Sequence, residues 1–381
     1  MAHRWQMLLI LLVSALIFCS VTLYIASGWG YDFSRFIHAG DVFVDPARVP
    51  SGINILADSF GYDGQFYYRM AMAPFSVDGT RYGISFDVPA LRNQRIIYPL
   101  LVYFFSGGKP ELVPVSMVIV NLIALLGIAL AGSYWSRALG RSPYWGLIFV
   151  LYPGFLFSLT RDLTEIVAIF FSISALYFIS GRKYLLAFFL LTFGLLTRET
   201  ALIFYAGAYA ALLADYHEKK TVSARLLLFA LAPLAIFVLW QLRLRQIWDG
   251  LPLLVDASHN FISLPLSGAL TGLSIWSREV SYNYIGAGFV FMICLAGIVS
   301  TRRSSAYNFV KYSWLLAFGL FIFWAPTLWS EDITFFRAFS EMFILSTSLV
   351  MGNRSLTARY VYPAIVIAMW LFVLMTRLVM R

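Results

Sequence analysis

The sequence predicts an all-α polytopic membrane protein with about eleven transmembrane helices, because of its composition and the lengths of its apolar runs. Of the 381 residues, 60% are hydrophobic and only 12% are charged, whereas soluble globular domains carry about 25% charged residues. The mean hydropathy is +0.78. A helix needs about 17 to 25 apolar residues to cross roughly 30 Å of hydrocarbon. These observations exclude a soluble globular domain.

The apolar runs place candidate spans along the whole chain. Pro153 lies within one run, and the pair Arg198 and Glu199 interrupts another, so the tract 184–214 is either two spans or one kinked pair. The first run is expected to be a retained anchor, because no small-residue cleavage site precedes Ser27. The candidate spans are 6–27, 112–134, 143–160, 163–180, 184–197, 199–214, 223–243, 281–300, 307–327, 335–351 and 359–378.

Basic residues recur on one side of these spans, and short cytoplasmic loops retain such cations. We therefore expect that side to be cytoplasmic and the site to face the exterior of a bacterial cytoplasmic membrane. The exterior segments are then 28–111, 244–280 and the turns at Arg161, Arg198 and Glu331, and an odd number of spans leaves the C-terminus outside. The residues on the predicted cytoplasmic side are His3, Arg4, Arg137, Arg141, Arg182, Lys183, Lys219, Lys220, Arg225, Arg302, Arg303, Arg354 and Arg359.

The distribution of charge also bears on partners and cofactors. The net charge of +9 comes from basic residues dispersed among short loops, so topology explains it and a nucleic-acid partner is not expected. Cys19 and Cys294 both lie in predicted spans, which indicates no disulfide framework. The four histidines, His3, His38, His217 and His259, lack the spacing of a zinc site. We expect no cofactor, although loop carboxylates leave a divalent ion open.

The segment 28–111 is long for a connection, and loops above about 12 to 15 residues are usually functional or disordered. Its aromatic content is too high for a disordered linker and favours short helices lying on the membrane surface. The apolar run from Arg95 to Phe105 is too short to span and predicts an interfacial or re-entrant helix. The aromatic residues are Phe33, Phe36, Phe43, Phe60, Phe66, Tyr67, Tyr68, Tyr82 and Phe86.

A polar and aromatic motif, Gly61-Tyr62-Asp63-Gly64-Gln65-Phe66-Tyr67-Tyr68-Arg69-Met70-Ala71, lies in this loop. A carboxylate at a membrane boundary, beside glycines that free the backbone, can take a proton from a sugar hydroxyl. Asp63 is therefore the candidate general base. Alternatively, Asp63 is a helix cap or turn residue, and the base is then one of Asp32, Asp41 and Asp45.

The motif resembles W-D-G-x-x-Y-x-x-I-A in the first lumenal loop of GT-C glycosyltransferases similar to the GPI second-mannose mannosyltransferase family and its bacterial relatives. Four further segments resemble that family in the same order. Tyr98-Pro99-Leu100-Leu101 resembles F-P-L-Y-P-L-L, Arg161-Asp162-Leu163-Thr164-Glu165 the S-E segment, Leu196-Thr197-Arg198 the L-T-R, and Thr334-Phe335-Phe336-Arg337-Ala338-Phe339 the R-Y segment. The chain departs from the family at Tyr62, which replaces Trp, at Glu199-Thr200, and after Arg337, where no proline follows.

The resemblance implies a GT-C-like fold and transfer of a hexose, mannose-like as a first expectation, from a polyprenyl-phosphate donor to a glycan, glycolipid or protein acceptor. Inversion with Asp63 as base is expected. The departing phosphate needs cationic donors, and planar guanidinium groups suit it. The residues implied to bind the donor phosphate are Arg198, Arg337 and Arg161. Those implied to bind substrate are Gln65, Tyr67, Tyr68, Arg95 and Glu165.

Each assignment has a structural alternative. Arg161 with Asp162 or Glu165 is the pattern of an ion pair at a helix start, and Arg198 with Glu199 that of a boundary pair. Arg337 at a helix end can simply snorkel. Tyr67 and Tyr68 suit membrane-interface anchors as well as sugar-stacking surfaces.

Other function classes also remain. A lipid or sugar flippase is expected to show two corresponding halves with interrupted helices, and the sequence shows no such repeat. A polysaccharide polymerase or ligase that uses undecaprenyl-linked glycans is closer in chemistry, but its long catalytic loop is expected later in the chain. A non-catalytic subunit of a membrane complex is the third alternative.

Overall fold

The computed structural model describes residues 2–219, 222–254, 262–275, 281–329 and 331–379, which are mostly helical with very little sheet. The α-helices are α1 Ala2–Ser27, α2 Gly64–Met72, α3 Pro89–Asn93, α4 Ile97–Ser106, α5 Val113–Ala138, α6 Trp145–Val150, α7 Pro153–Leu159, α8 Glu165–Ser180, α9 Tyr184–Thr197, α10 Leu202–Ala214, α11 Ala224–Phe229, α12 Ala232–Trp248, α13 Ser267–Ile275, α14 Ser281–Arg303, α15 Asn308–Ile322, α16 Asp332–Ala338, α17 Ser340–Gly352 and α18 Tyr362–Leu374. Short turns of 3₁₀-helix and π-helix join or extend several of them.

Five helical segments of the described chain are long and apolar enough to cross a membrane, and a sixth appears when α16 and α17, bent by 55°, count as one. The chain is therefore a helical protein with the features of a multi-pass membrane protein. The five are Arg4–Ser27, Val113–Ala138, Ala224–Trp248, Tyr282–Arg303 and Thr357–Arg377. The predicted number of eleven is not reached by this measure. Several other predicted spans coincide with shorter apolar helices, namely α8, α9 and α15.

Two predicted helix breaks are present. The run 143–160 divides into α6 and α7 at Leu151 and Tyr152, because Pro153 has no backbone N–H to continue α6 and instead begins α7. The tract 184–214 divides at Arg198, whose backbone is extended with φ −160° and ψ 133° between α9 and a 3₁₀ turn over Glu199–Ala201.

An aromatic contact fixes α16 and α17 against α7. Tyr152 stacks on Phe343 with ring centroids 4.3 Å apart, and its hydroxyl donates to the carbonyl of Phe336 at 2.5 Å. All three side chains are buried. The contact places Arg337, the next residue, beside the turn between α7 and α8.

The first loop forms a compact cap. Strand β1 (Ala39–Gly40) pairs in parallel with β2 (Ile55–Leu56), and β3 (Thr80–Arg81) pairs antiparallel with β4 (Ile84–Ser85). All nine residues of α2 are buried, so the expectation of a surface helix there was wrong. Its aromatic side chains pack inside the cap, and the Phe66 ring lies 5.5 Å from that of Phe43.

Helix α4 fits the interfacial or re-entrant prediction for the run after Arg95. It has ten residues, buries Tyr98 and Val102, and leaves Phe104 and Phe105 exposed. One apolar face is thus available to lipid while the other packs against α5. A length of ten residues is about 15 Å at 1.5 Å per residue, which is too short to span.

The remaining predictions concern the end of the chain. The predicted exterior segment 244–280 begins inside α12, which continues to Trp248, and contains α13; its residues 255–261, including His259, and 276–280 lie outside the described residues. Arg377 after α18 pairs with Asp332 at the start of α16. This pair places Arg377 beside the Glu331 turn, and the predicted exterior position of the C-terminus stays a prediction.

Candidate active site

The backbone around Asp63 is held in place by the cap of the first loop. Gly61 has a left-handed φ of +64°, and the N–H of Tyr62 donates to the carbonyl of His38 at 2.8 Å. A Cβ on Gly64 would lie 2.5 Å from the carbonyl oxygen of Arg161, so only glycine permits this approach of α2 to the α7–α8 turn. Asp63 precedes α2, but its side chain makes no capping hydrogen bond. The capping alternative is not what the structure shows.

Asp63 instead faces two arginines of the segment 89–96. Its Oδ2 lies 2.9 Å from Nη1 of Arg92 and 3.7 Å from Nη1 of Arg95, with 23% of the carboxylate side chain exposed. Burial raises the pKa of the Asp63 carboxyl, but four arginines outweigh burial and hold that pKa below its usual 3.8. In order of decreasing effect they are Arg92, Arg337, Arg95 and Arg198. The carboxylate is therefore ionised at neutral pH.

The same two arginines bind other acids. Arg92 donates from Nε and Nη2 to Asp87 at 2.9 and 2.5 Å, and its guanidinium lies 4.9 Å from the centre of the Phe66 ring. Arg95 donates to both carboxylate oxygens of Glu199 at 3.0 and 2.5 Å. This planar, two-point contact ties the first loop to the break between α9 and α10.

A second charged group centres on Glu165, the first residue of α8. Its Oε1 lies 3.0 Å from Nη1 of Arg198 and accepts from Nε and Nη2 of Arg337 at 2.9 and 2.5 Å. Nη1 of Arg337 donates to the hydroxyl of Tyr62, next to Asp63. Arg337 is only 12% exposed, so it does not snorkel, and Arg198 pairs with Glu165 across helices rather than forming a boundary pair with Glu199.

Arg161 lies on the other side of Tyr62. Its guanidinium carbon is 5.4 Å from the centre of the Tyr62 ring and 5.9 Å from that of Phe157. It lines a cavity of about 80 Å³ whose other walls include Trp29, His38 and Arg377. This cavity lies where α1, α7 and α16 meet, and three of its side chains carry or can carry positive charge.

The other predicted substrate-binding residues have structural roles. Gln65 is buried; its Oε1 accepts from the Gly40 N–H at 3.0 Å and its Nε2 donates to the Phe60 carbonyl at 2.8 Å. Tyr67 and Tyr68 are 1% and 0% exposed, which makes them neither interface anchors nor sugar-stacking surfaces. The Tyr67 hydroxyl accepts from Nη1 of Arg95 at 2.9 Å. All three side chains therefore serve the packing and hydrogen bonding inside the cap.

The alternative bases also have local roles. Asp32 accepts from the N–H of Ser34 at 2.9 Å. Asp41 accepts from the backbone of Asp58 and Ser59 at 2.9 and 3.0 Å, and Asp45 accepts from the N–H of Ala47 at 3.0 Å. These carboxylates stabilise turns of the loop, in contrast to Asp63.

The structure brings together Asp63, Arg95, Glu165, Arg198 and Arg337 from four separated parts of the sequence. Sequence reasoning missed two members, Arg92 and Glu199. The two arginines Arg92 and Arg95, three residues apart in the same loop, were an available signal, although only Arg92 lies in α3. Glu199 gave no signal beyond its contrast with the family pattern.

The site holds three acids among its arginines, and of these Asp63 is the one in the motif that could take a proton beside an anionic leaving group. Within the part of the chain that the structure describes, no group of three or more His, Cys, Asp or Glu side chains is placed to hold a metal ion. Comparisons of the chain with protein-family models, with curated proteins and with solved structures find no match.

Proposed function

We propose that this chain is an integral membrane glycosyltransferase that moves a hexose from a polyprenyl-phosphate donor to a glycan, glycolipid or protein acceptor. One observation carries the proposal. Asp63, Arg198 and Arg337 belong to three distant sequence motifs, yet Arg337 donates to the hydroxyl of Tyr62, next to Asp63, and pairs with Glu165, which also pairs with Arg198. A general base and the cations for a leaving phosphate thus share one site.

The chemistry follows from these roles. An acceptor hydroxyl attacks the anomeric carbon of the donor sugar from the face opposite the lipid phosphate. Its proton passes to the carboxylate of Asp63 while the carbon–oxygen bond to the phosphate breaks. The polyprenyl phosphate leaves with the bonding electron pair, and the configuration at the anomeric carbon inverts. The lowered pKa of Asp63 keeps the base ionised before each turnover.

The arginines differ in how much hydrogen-bonding capacity they retain. Arg337 uses Nε, Nη1 and Nη2 on Glu165 and Tyr62, so its role is largely to position the site. Arg198 uses only Nη1, toward Glu165 and Thr164. Its Nε and Nη2 have no hydrogen-bond partner among the described residues. We assign the main contact with the donor phosphate to Arg198.

We propose that the lipid part of the donor enters beside the cavity at Arg161, which at about 80 Å³ is too small to hold a polyprenyl chain itself. Ile25, Leu156 and Phe157 give it apolar walls, and it lies between α1 and α7, next to the Tyr62 ring that Arg161 and Arg337 both contact. A lipid that stays in the bilayer can reach the site only between spans. We propose eleven crossings of a bacterial cytoplasmic membrane, with α8, α9, α10, α15 and the broken pair α6–α7 counted as spans and the site facing the exterior.

The test is sugar transfer by protein in nanodiscs with a panel of radiolabelled polyprenyl-phosphate sugars and a membrane extract as acceptor. Asp63→Asn keeps the volume and removes the base. We expect transfer to fall about 10²- to 10⁴-fold while donor binding persists. Asp58→Asn is the matched control, because Asp58 is an exposed loop acid with φ 50°, a conformation that asparagine also adopts.

Two results would contradict the proposal. Wild-type protein that transfers no sugar from any donor would favour the flippase or accessory-subunit alternatives. A fully active Asp63→Asn variant would remove Asp63 from the chemistry and return attention to Asp32, Asp41 and Asp45.

A further inference from the structure

A groove at the opposite end of the molecule from Asp63 combines apolar walls with two exposed cations. It has a volume of about 820 Å³ and lies between α9 and α11. Its walls are formed by Leu185, Leu186, Phe189, Leu226 and Phe229, and its mouth by Arg182, Lys183 and Tyr184. The groove contains no acidic side chain. The groove therefore has a basic end and an apolar end.

The groove is separate from the candidate active site. Glu165 begins α8, and Arg182 follows its other end. The 16 residues of α8 correspond to about 24 Å at 1.5 Å per residue. A ligand in the groove therefore does not contact Asp63, Arg198 or Arg337. The inference does not depend on the proposed glycosyltransferase activity.

The apolar walls are continuous and exposed. Leu185 and Phe189 are four residues apart on α9 and lie on the same face of the helix, and they are 73% and 56% exposed. Phe188 is buried beneath them and joins the helices, with its ring centroid 5.5 Å from that of Phe229 on α11. The groove is thus an apolar surface channel between α9 and α11.

The two cations at the mouth of the groove are available to pair with an anion. Arg182 and Lys183 are exposed, and neither forms an ion pair with any residue that the structure describes. Arg182 also borders a neighbouring cavity that contains Asp215, whereas Asp215 does not line the groove. Tyr184 beside them is amphipathic, as side chains at the head-group level commonly are. The charged end therefore matches an anionic head group.

We infer that this groove binds an anionic glycerophospholipid, with its phosphate on Arg182 and Lys183 and one acyl chain along α9 and α11. Charge complementarity selects an anionic head group over a zwitterionic one, since each Lys or Arg near an anionic lipid surface contributes about 1 kcal/mol. The apolar walls select a lipid over free phosphate. A binding site for a membrane lipid is thereby assigned to the end of the molecule remote from the chemistry.

The experiment is native mass spectrometry of the full chain in mild detergent, titrated separately with phosphatidylglycerol and phosphatidylcholine. Wild-type protein is expected to retain one phosphatidylglycerol with higher affinity than phosphatidylcholine. Arg182→Gln/Lys183→Gln should weaken that binding about fivefold for each cation removed. Glutamine introduces no new backbone strain at position 182, where the φ of 57° is already held by a residue other than glycine.

Arg354→Gln/Arg359→Gln is the matched control, because these arginines are exposed and lie outside the groove. It should leave the affinity for phosphatidylglycerol unchanged. Equal losses in both double variants would overturn the inference by showing a general effect of charge. No preference for phosphatidylglycerol in the wild type would overturn it as well.

Two further measurements test the acyl chain and the phosphate of the ligand separately. Leu185→Asn places an amide on an exposed wall and should weaken binding of the long-chain lipid while leaving the fold intact. Inorganic phosphate added in excess should not displace the lipid. Displacement by phosphate alone, or full binding by Leu185→Asn, would show that the groove is not an acyl-chain site.

Discussion

The Oδ2 atom of Asp63 lies 2.9 Å from Nη1 of Arg92, and the two side chains are 23% and 12% exposed. Arg92 is held in turn by Asp87 through two hydrogen bonds, so the contact is fixed from both sides. Among the charges near Asp63, Arg92 has the largest lowering effect on its pKa. Arg92 is therefore the arginine whose removal should change the pKa of the candidate base most.

The first prediction concerns the pH dependence of sugar transfer. Because the pKa of Asp63 lies below 3.8, the ionised base persists as pH falls, and the acid limb of the wild-type rate should lie below pH 3.8. The same lowered pKa stabilises the folded protein above that pH and loses its effect as pH falls through it. Arg92→Gln removes the arginine that most opposes the effect of burial, so the pKa of Asp63, and with it the acid limb, should move to higher pH.

The measurement is a pH–rate profile in nanodiscs for wild type, Arg92→Gln and Arg48→Gln. Arg48 is a loop arginine that is 79% exposed and paired with Asp45, so its substitution should leave the profile unchanged. An Arg92→Gln profile that coincides with the wild type would show that Asp63 does not control the acid limb.

The second prediction tests Arg198 as the donor-phosphate contact. Arg198→Lys keeps the charge but loses the planar pair Nε and Nη2, which have no partner among the described side chains. Hydrogen bonds to charged groups contribute about 1.5 to 3 kcal/mol, so the donor Kd should rise by about ten- to a hundredfold. Equilibrium binding of a polyprenyl-phosphate sugar measures it.

Arg354→Gln serves as the control for this measurement, because Arg354 is an exposed arginine after α17 that lines neither the candidate active site nor the lipid groove. Donor affinity should stay at the wild-type value in that variant. Unchanged donor affinity in Arg198→Lys would instead leave Arg198 as a structural partner of Glu165.

Much of the architecture could be predicted from the sequence, because composition and run length report directly on the solvent around a helix. The breaks at Pro153 and Arg198 were also predictable, since proline lacks an N–H and charges interrupt apolar runs. The number of spans does not follow from length alone. Helices α8 and α9 have 16 and 14 residues, which is about 21 to 24 Å and short of the hydrocarbon thickness.

The site was predictable where a motif marked a residue, as for Asp63, Glu165, Arg198 and Arg337. The partners were not. Arg95 and Glu199 are 104 residues apart, and the packing of α4 against α9 brings them together. Tyr67 was misassigned for a related reason, because whether an aromatic residue of a long loop faces solvent or core depends on tertiary contacts that local sequence does not encode.

The third prediction uses the close approach of α2 to the α7–α8 turn. A Cβ at Gly64 would lie 2.5 Å from the Arg161 carbonyl oxygen and 2.7 Å from that of Ile37, and both are backbone atoms that cannot rotate away. Gly64→Ala should cost about 1 to 3 kcal/mol of stability. Displacement of Asp63 by about 1 Å should lower transfer about a hundredfold.

Gly79→Ala is the control for Gly64→Ala, because a Cβ at Gly79 meets nothing within 4 Å. Unfolding midpoints and transfer rates of the two variants should therefore diverge. If Gly64→Ala matches Gly79→Ala in both measurements, the loop tolerates a wider gap at Arg161 than the structure implies.

The fourth prediction concerns the ion pair between Asp332 and Arg377, which joins the start of α16 to the end of the last helix. Asp332 is 4% exposed and Arg377 is 18% exposed, and Arg377 also lies 4.5 Å from the centre of the Tyr282 ring. Arg377→Met leaves a buried carboxylate without its partner and should lower the unfolding free energy by about 3 to 5 kcal/mol. Asp332→Asn/Arg377→Met removes the uncompensated charge and should recover most of that loss.

Denaturant titration in detergent measures the unfolding free energy of both variants and distinguishes a buried structural pair from a surface contact. The control is Arg48→Ala, which removes an exposed pair and is expected to lie within about 1 kcal/mol of wild type. Equal stability of the single and double variants would contradict the burial of the pair between Asp332 and Arg377.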